Sequence, residues 1–207
     1  MLTMSTLRKP SADFHHGDLH ASLIQAGLRY TDKHGLSTLG LRHLAQETGV
    51  SPTAVYRHFD DLENLKAEIS KASREYLASM MLDAIESASQ GMSETACINR
   101  LWASGMAYIE FGIRKPNLFE IAFVKFHTKK LSVENPNPWE VLNRCLDDLF
   151  AIGILSASKR KAAPMIAWSS VHGYAGLASQ GFTGTKEETK KGAEVVLEGA
   201  LIALGVK

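Results

Sequence analysis

The chain has 207 residues, enough for one large or two small domains with a sizeable core. Hydrophobic residues make up 45% and charged residues 22%, which is typical of a globular protein and excludes a disordered one. The formal net charge of +1 predicts no attraction of the whole chain to a polyanion.

The first third of the chain is not a basic block either. Residues 1–66 hold seven Lys or Arg and seven Asp or Glu residues, but also six of the eight histidines. Helix N-termini can hold phosphates without formal charge, so a nucleic-acid contact here does not require a basic segment.

The sequence also bears on location and cofactors. No run approaches about 18 apolar residues, and residues 1–17 lack the apolar core of a signal peptide. Cys97 and Cys145 stand alone without metal-ligand spacing, which is typical of reduced cytosolic thiols. We expect a cytoplasmic protein with no membrane contact, no metal and no cofactor.

Residues 1–13 are polar and aperiodic, which predicts a flexible arm. The segment that follows is Phe14-His15-His16-Gly17-Asp18-Leu19-His20, whose three histidines and aspartate have the composition of a metal cluster. No other ligand set pairs with it, so we favour Asp18 as the N-cap of a helix over 19–33. The apolar stripe of this helix is Leu19, Leu23, Ala26, Gly27 and Tyr30.

Residues 41–59 have the pattern of two short helices joined by a tight turn. The first helix has an apolar face at three- and four-residue spacing, formed by Leu41, Leu44, Ala45 and Thr48. Gly49 follows where this helix should end, and Ser51-Pro52 is typical of the next helix start. Val55 and Phe59 form the second apolar face, which predicts a helix-turn-helix.

The remaining residues of the second helix have short polar, methyl-bearing, aromatic and basic side chains. Such groups contact phosphates and base edges in a DNA major groove. The alternative is an ordinary helical hairpin with a solvated outer face. We favour DNA reading, with contacts from Ser51, Pro52, Thr53, Ala54, Tyr56, Arg57 and His58.

The rest of the chain is predicted to be helical as well. Expected helices cover about 62–88, 94–115, 116–126, 139–152, 159–180 and 187–204, with a polar loop at 127–138. An apolar effector pocket between helices could be lined by Trp102, Met106, Phe119, Phe123, Phe126, Trp139 and Met165. Each of these residues could equally be plain core.

The last two predicted helices combine small residues with apolar residues on more than one face. Such helices suit a subunit interface, although burial inside one domain is the alternative. We favour the interface, because a helix-turn-helix reader usually needs a two-fold partner. The expected interface residues are Trp168, His172, Gly173, Gly176, Val195 and Leu201.

These stretches resemble the TetR-type transcriptional regulators. The likeness runs from Phe14-His15-His16-Gly17-Asp18-Leu19, a start that marks a subgroup, through Tyr56-Arg57-His58-Phe59 to Leu65. Further on, Trp168 and His172-Gly173 resemble the Trp…His-Gly signature of a C-terminal domain found with that subgroup, and residues 114–119 look like its mid-region.

The resemblance implies an all-α homodimer. A three-helix helix-turn-helix domain over 14–61 would bind double-stranded operator DNA at a two-fold site, and a helical domain over 62–207 would bind an effector and dimerise. The implied function is that of a repressor released by a small apolar molecule. The resemblance carries the DNA contact over to Thr53, Tyr56 and His58.

Two positions depart from the family pattern and each removes an implied phosphate contact. Gly40 stands where a Ser or Thr cap is usual, and Leu62 stands where a Lys or Arg is usual. Arg42 and Lys66 are the expected substitutes. A helical sensor without DNA binding is therefore a competing hypothesis, whereas an enzyme lacks any readable nucleophile–base or paired-carboxylate constellation.

Overall fold

The computed structural model describes residues 19–126 and 136–206. Within these segments the chain forms nine helices and no strand, which confirms the predicted all-α fold. The helices are α1 (Leu19–His34), α2 (Leu41–Thr48), α3 (Pro52–Tyr56), α4 (Leu62–Ala88), α5 (Glu94–Arg114), α6 (Pro116–Ala122), α7 (Pro138–Ala151), α8 (Ala157–Ser179) and α9 (Lys186–Leu204). The predicted arm, the Phe14–Asp18 segment and residues 127–135 of the predicted loop lie outside the described residues.

Helices α1 to α3 pack around a small apolar core that α4 closes. Gly49 ends α2 with a φ of 69°, a left-handed conformation that glycine adopts without strain. The hydroxyl of Ser51 accepts the N–H of Ala54 at 3.2 Å, and Pro52 opens α3. This turn confirms the predicted helix-turn-helix, whose core contains Leu23, Ala26, Leu44, Val55, Phe59 and Leu65.

Helix α3 ends at Tyr56, so the predicted helix through Phe59 is too long. Phe59 is buried in the core, and the chain turns after Arg57 to bring its ring inward. Asp61 then caps α4 by accepting the N–H of Asn64 at 2.7 Å. Because α4 starts only three residues after Phe59, the reading helix ends before Phe59.

The other helices form a bundle in which α4 spans 27 residues and packs along α5, while α8 and α9 cover the opposite side of α5. Arg100 on α5 is almost fully buried and pairs with Asp148 on α7 at 2.7 Å, which ties these two helices together. Helix α6 ends at Ala122, before the predicted Phe126. None of the helices in the described part of the chain is long and apolar enough to cross a bilayer.

Candidate nucleic-acid interface and effector cavities

Helix α3 buries one face and leaves the other open. Val55 is fully buried, whereas Ser51, Pro52, Thr53 and Arg57 are exposed and Ala54 is half-buried. Tyr56 is 57% exposed, so its ring is not part of the three-helix core. The helix thus presents hydroxyl, methyl, aromatic and basic groups together, which is the set that can contact phosphates and bases.

The end of this surface differs from the sequence prediction. Arg57 is the C-cap of α3 and His58 follows the helix, so the placement of both on the helix is wrong. His58 is half-buried, with its ring 6.1 Å from that of His20 on α1. The His20 ring in turn stacks on Phe59 at 4.9 Å, because the turn that buries Phe59 carries His58 towards α1.

The expected substitutes for the missing phosphate contacts, Arg42 and Lys66, lie on different helices. Gly40 makes no side-chain cap, and Arg42 is exposed, while Lys66 on α4 is half-buried. The ring of His43 stacks on Tyr30 at 5.6 Å, and its Nδ1 lies 3.1 Å from the carbonyl oxygen of Thr38. Sequence reasoning missed His43, although it directly follows Arg42.

An enclosed apolar cavity of about 30 Å³ lies between α4, α5, α7, α8 and α9. A space of this size holds about one water molecule. Of the seven predicted pocket residues, only Trp102 lines it. The remaining walls were missed and include Met81, Ser104, Gly105, Tyr108, Trp168 and Leu197.

A larger cleft of about 550 Å³ opens between α6 and α8. Two predicted pocket residues, Phe119 and Phe123, form its aromatic wall. The rest of the lining is Pro116, Asn117, Glu120, His172, Gly176, Ser179 and Gln180. This volume lies within the usual range for ligand pockets, about 300–1,000 Å³.

Aromatic side chains separate the cavity from the cleft. A hydrogen bond of 2.8 Å joins the Tyr108 hydroxyl to His172 Nδ1, and the Tyr108 and Trp168 rings meet edge to face at 5.2 Å. Burial raises the pKa of Tyr108 and lowers the pKa of His172, so both groups are held neutral. Tyr108 shares the buried face of α5 with Leu101, Ser104 and Gly105, and that spacing was the signal available in the sequence.

The other predicted pocket residues do not line either space. Met165 is 63% exposed on α8, so its prediction as a pocket residue is wrong; α8 turns its Ala163 and Ala167 inward instead. Met106 and Phe126 pack against the core, and Trp139 is half-exposed with its ring 5.5 Å from that of Trp168.

The predicted interface residues divide between the interior and the surface. Leu201 is 4% exposed and lines the enclosed cavity, so its prediction as a surface contact is wrong. Trp168 and His172 face the aromatic partition, and Gly176 lines the cleft. Gly173 and Val195 lie on the surface, and the exposed face around them also carries Met165, Leu177, Gly199 and Ile202.

Helix α6 connects the cleft to the helix-turn-helix. Lys115 Nζ lies 2.6 Å from the carboxylate of Asp32 at the end of α1. Asn117, which lines the cleft, donates a hydrogen bond of 3.0 Å to the backbone carbonyl of Asp32. Ser73 on α4 donates to the carbonyl of Leu118 at 2.8 Å, so α6 is held by both helices.

Two family models match the chain. Residues 23–69 match "Bacterial regulatory proteins, tetR family", and residues 101–200 match "Tetracyclin repressor-like, C-terminal domain". The HTH-type transcriptional regulator YobS of Bacillus subtilis is 23% identical over 111 residues, which are 54% of each chain. The present chain therefore spans about half the length of this curated relative.

Solved structures share the fold across almost the whole chain. A protein of unknown function from Rhodococcus sp. RHA1 has a TM-score of 0.67 and 23% identity, covering 91% of this chain and 98% of its own. A TetR variant from Acinetobacter baumannii AYE in complex with minocycline has a TM-score of 0.61 and 16% identity, covering 93% and 99%. BioQ in complex with its natural double-stranded DNA operator has a TM-score of 0.57 and 19% identity, covering 92% and 99%.

The matched segments are those in which the structure places the helix-turn-helix and the cavity-bearing helical bundle. The chain therefore belongs to the tetR family of bacterial regulatory proteins, which are helix-turn-helix transcriptional regulators.

Proposed function

We propose that this regulator is a homodimeric repressor that binds a two-fold operator through α3 and leaves it when a small molecule binds the C-terminal bundle. The observation that carries the proposal is the division between a buried Val55 and an exposed set, which is Thr53 and Tyr56 on α3 and Arg57 at its C-cap. A helix with no structural need for these side chains is free to use them on DNA.

The proposed dimer surface is the exposed face of α8 and α9. Met165, Leu177, Val195 and Ile202 are each more than half exposed. Glycines on this face, Gly173 and Gly199, have no heavy atom within 4 Å of an added Cβ, so a second copy could approach the helix backbones closely. Several exposed apolar side chains on two neighbouring helices are typical of an interaction site.

The proposed effector site lies in the bundle, where the cavity and the cleft meet at the Tyr108–His172 partition. Its apolar walls favour an effector with an apolar body, and the related fold that holds minocycline supports a small molecule. We also propose that the chain belongs to the subgroup with a Trp…His-Gly motif, on the basis of Trp168 and His172-Gly173. The proposed location is the cytoplasm, because the operator DNA would be there.

One observation favours a second candidate function, a sensor that does not bind DNA. Gly40 leaves the first turn of α2 without a side-chain cap, and Leu62 opens α4 without a basic side chain. Arg42 is exposed in the first turn of α2, next to the missing cap at Gly40. Its guanidinium supports the DNA-binding proposal over this alternative.

A gel-shift titration with the DNA upstream of the chain's own gene tests the proposal. We expect a discrete complex that survives competition by unrelated DNA of the same length and composition. A variant with Thr53→Ala and Tyr56→Ala should lose the complex at an unchanged melting temperature. Equal affinity for upstream and unrelated DNA would overturn the operator proposal, and no complex with either DNA would favour the sensor.

A further inference from the structure

We propose that the cleft between α6 and α8 is the effector site and that it takes an organic cation with an aromatic body. This inference rests on the proposed function, because it names the chemical class of the molecule that releases the operator.

Charge is the first support for a cation. Among the described residues, Glu120 is the one formally charged side chain that lines the cleft, and none of these lining residues is Lys or Arg. The adjacent Lys115 is already neutralised by Asp32 at 2.6 Å. Burial lowers the pKa of His172, so the imidazole adds no positive charge at neutral pH. A cationic ligand would therefore meet the exposed carboxylate of Glu120 with no described lysine or arginine in the lining, whereas an anionic ligand would meet repulsion.

The aromatic wall is the second support. The rings of Phe119 and Phe123 meet edge to face at 5.2 Å, and His172 lies 4.7 Å from Phe123. The faces of aromatic rings attract cations, and their edges and faces also pack well against a ligand's own rings. A carboxylate beside such a wall is the combination that selects an aromatic cation over a neutral hydrocarbon.

Size places the ligand body in the cleft and not in the enclosed cavity. The cleft has about 550 Å³, while the cavity behind the Tyr108–His172 partition has about 30 Å³. Only the cleft accommodates a ligand of ordinary size without rearrangement of the core.

The position of Asn117 makes this site able to influence DNA binding. Its side chain lines the cleft and also donates the hydrogen bond to the carbonyl of Asp32 at the end of α1. A ligand that displaces this amide would loosen the contact between α6 and α1. Binding of the cation would therefore shift the helix-turn-helix without passing through α3 itself.

Two probes of the same shape and opposite charge test the proposal. Tetraphenylphosphonium and tetraphenylborate are each titrated into the full chain by calorimetry, without DNA. We expect the cation to bind at least tenfold more tightly than the anion. Equal affinities, or tighter binding of the anion, would overturn the proposal.

Variants then locate the charge. Glu120→Gln should weaken the cation at least fivefold and leave the anion within twofold, while the control Glu86→Gln, an exposed carboxylate on α4 outside the cleft, should change neither. Gly176→Leu, whose Cβ would have no heavy atom within 4 Å, should extend into the cleft, lose cation binding at least tenfold and melt no lower than the wild type. If Glu120→Gln and Glu86→Gln bind the cation alike, the cleft is not the site.

The operator titration separates the two proposals. Operator binding by a protein that shows no charge preference overturns the cation inference and leaves the repressor proposal standing. A charge preference in a protein that binds no operator supports the cleft as a cation site and overturns the repressor proposal.

Discussion

Asn117 on α6 and Asp32 at the end of α1 are separated by 85 residues in sequence and joined by a hydrogen bond of 3.0 Å. The same aspartate pairs through its carboxylate with Lys115 at 2.6 Å. Both contacts hold the last turn of α1, immediately before the segment that leads into α2. The wall of the cleft and the helix-turn-helix are thus mechanically connected through one residue.

Replacing Asp32 tests this connection. Asp32→Ala removes a partly exposed ion pair, so the free energy of unfolding should fall by no more than about 1 kcal/mol. The backbone carbonyl of residue 32 still accepts from Asn117, so the response of operator affinity to tetraphenylphosphonium should become smaller than in the wild type by the share that the Lys115 pair carries. The control is Glu110→Ala, which breaks an exposed pair with Arg114 at 2.6 Å and should leave the response intact. The same response in both variants would contradict a role of Asp32 in coupling.

The local structure of the DNA-binding unit could be predicted from sequence because its signals are local. Gly49, Ser51 and Pro52 fix the turn through the backbone preferences of each residue, and the structure shows the expected left-handed glycine and serine cap. The end of α3 was missed because it depends on a contact across the fold, the burial of Phe59. The spacing of apolar residues along one helix carries no information about that long-range contact.

The effector site was harder to predict for the same physical reason. Helix α8 has small or apolar residues around its whole circumference, so its pattern does not distinguish the inward Trp168 from the outward Met165. The Tyr108–His172 hydrogen bond joins residues 64 positions apart. Which aromatic residues line a cavity depends on such long-range packing and not on their spacing along one helix.

The exposed position of Gly173 allows a direct test of the proposed dimer. A Cβ added at residue 173 would face open space, so each protomer of Gly173→Arg should fold normally. The variant, and likewise Val195→Glu, should sediment as a monomer and bind operator poorly. The control Met92→Glu replaces another half-exposed apolar residue away from this face and should remain a dimer. A wild-type protein that sediments as a monomer at micromolar concentration would contradict the proposal.

The stability of the protein should depend on pH through His172. Burial lowers the pKa of this imidazole below its ordinary 6.5, so the unfolded chain binds the proton more readily than the folded one. The free energy of unfolding should therefore fall as pH decreases through 6.5 and stop falling below the folded-state pKa. His172→Asn, whose amide oxygen can still accept from Tyr108, should show a flatter curve than the wild type in chemical denaturation. Identical slopes would mean that His172 is not held neutral by burial.

Operator binding should depend moderately on salt. If the dimer neutralises about six phosphates, the logarithm of the association constant should fall with the logarithm of salt concentration with a slope of about −5. Arg42→Gln should make the slope less negative by about 2, because the dimer loses two exposed guanidinium groups, one beside each uncapped α2, and each is an expected phosphate contact. A slope near zero would show that the unit does not contact the DNA backbone.

The sharpest test of the reading helix uses Thr53 and Tyr56. Both side chains are exposed, so replacing either with Ala should leave the melting temperature within a few degrees. Thr53 lies in the first turn of α3, where a hydroxyl and free N–H groups can meet a phosphate or base edge. Tyr56 lies one turn further and can lay its ring along the groove while donating its hydroxyl to a phosphate.

Each Ala variant should therefore weaken operator binding by about 1–3 kcal/mol, the usual scale for a base or phosphate contact. The matched control is Tyr76→Ala on α4, where another half-exposed tyrosine contacts Phe111 and lies outside the reading helix. Its operator affinity should equal that of the wild type. Melting curves and operator titrations on the same three variants decide whether α3 contacts the operator. If Thr53→Ala and Tyr56→Ala fold normally and bind operator with wild-type affinity, α3 does not read the DNA.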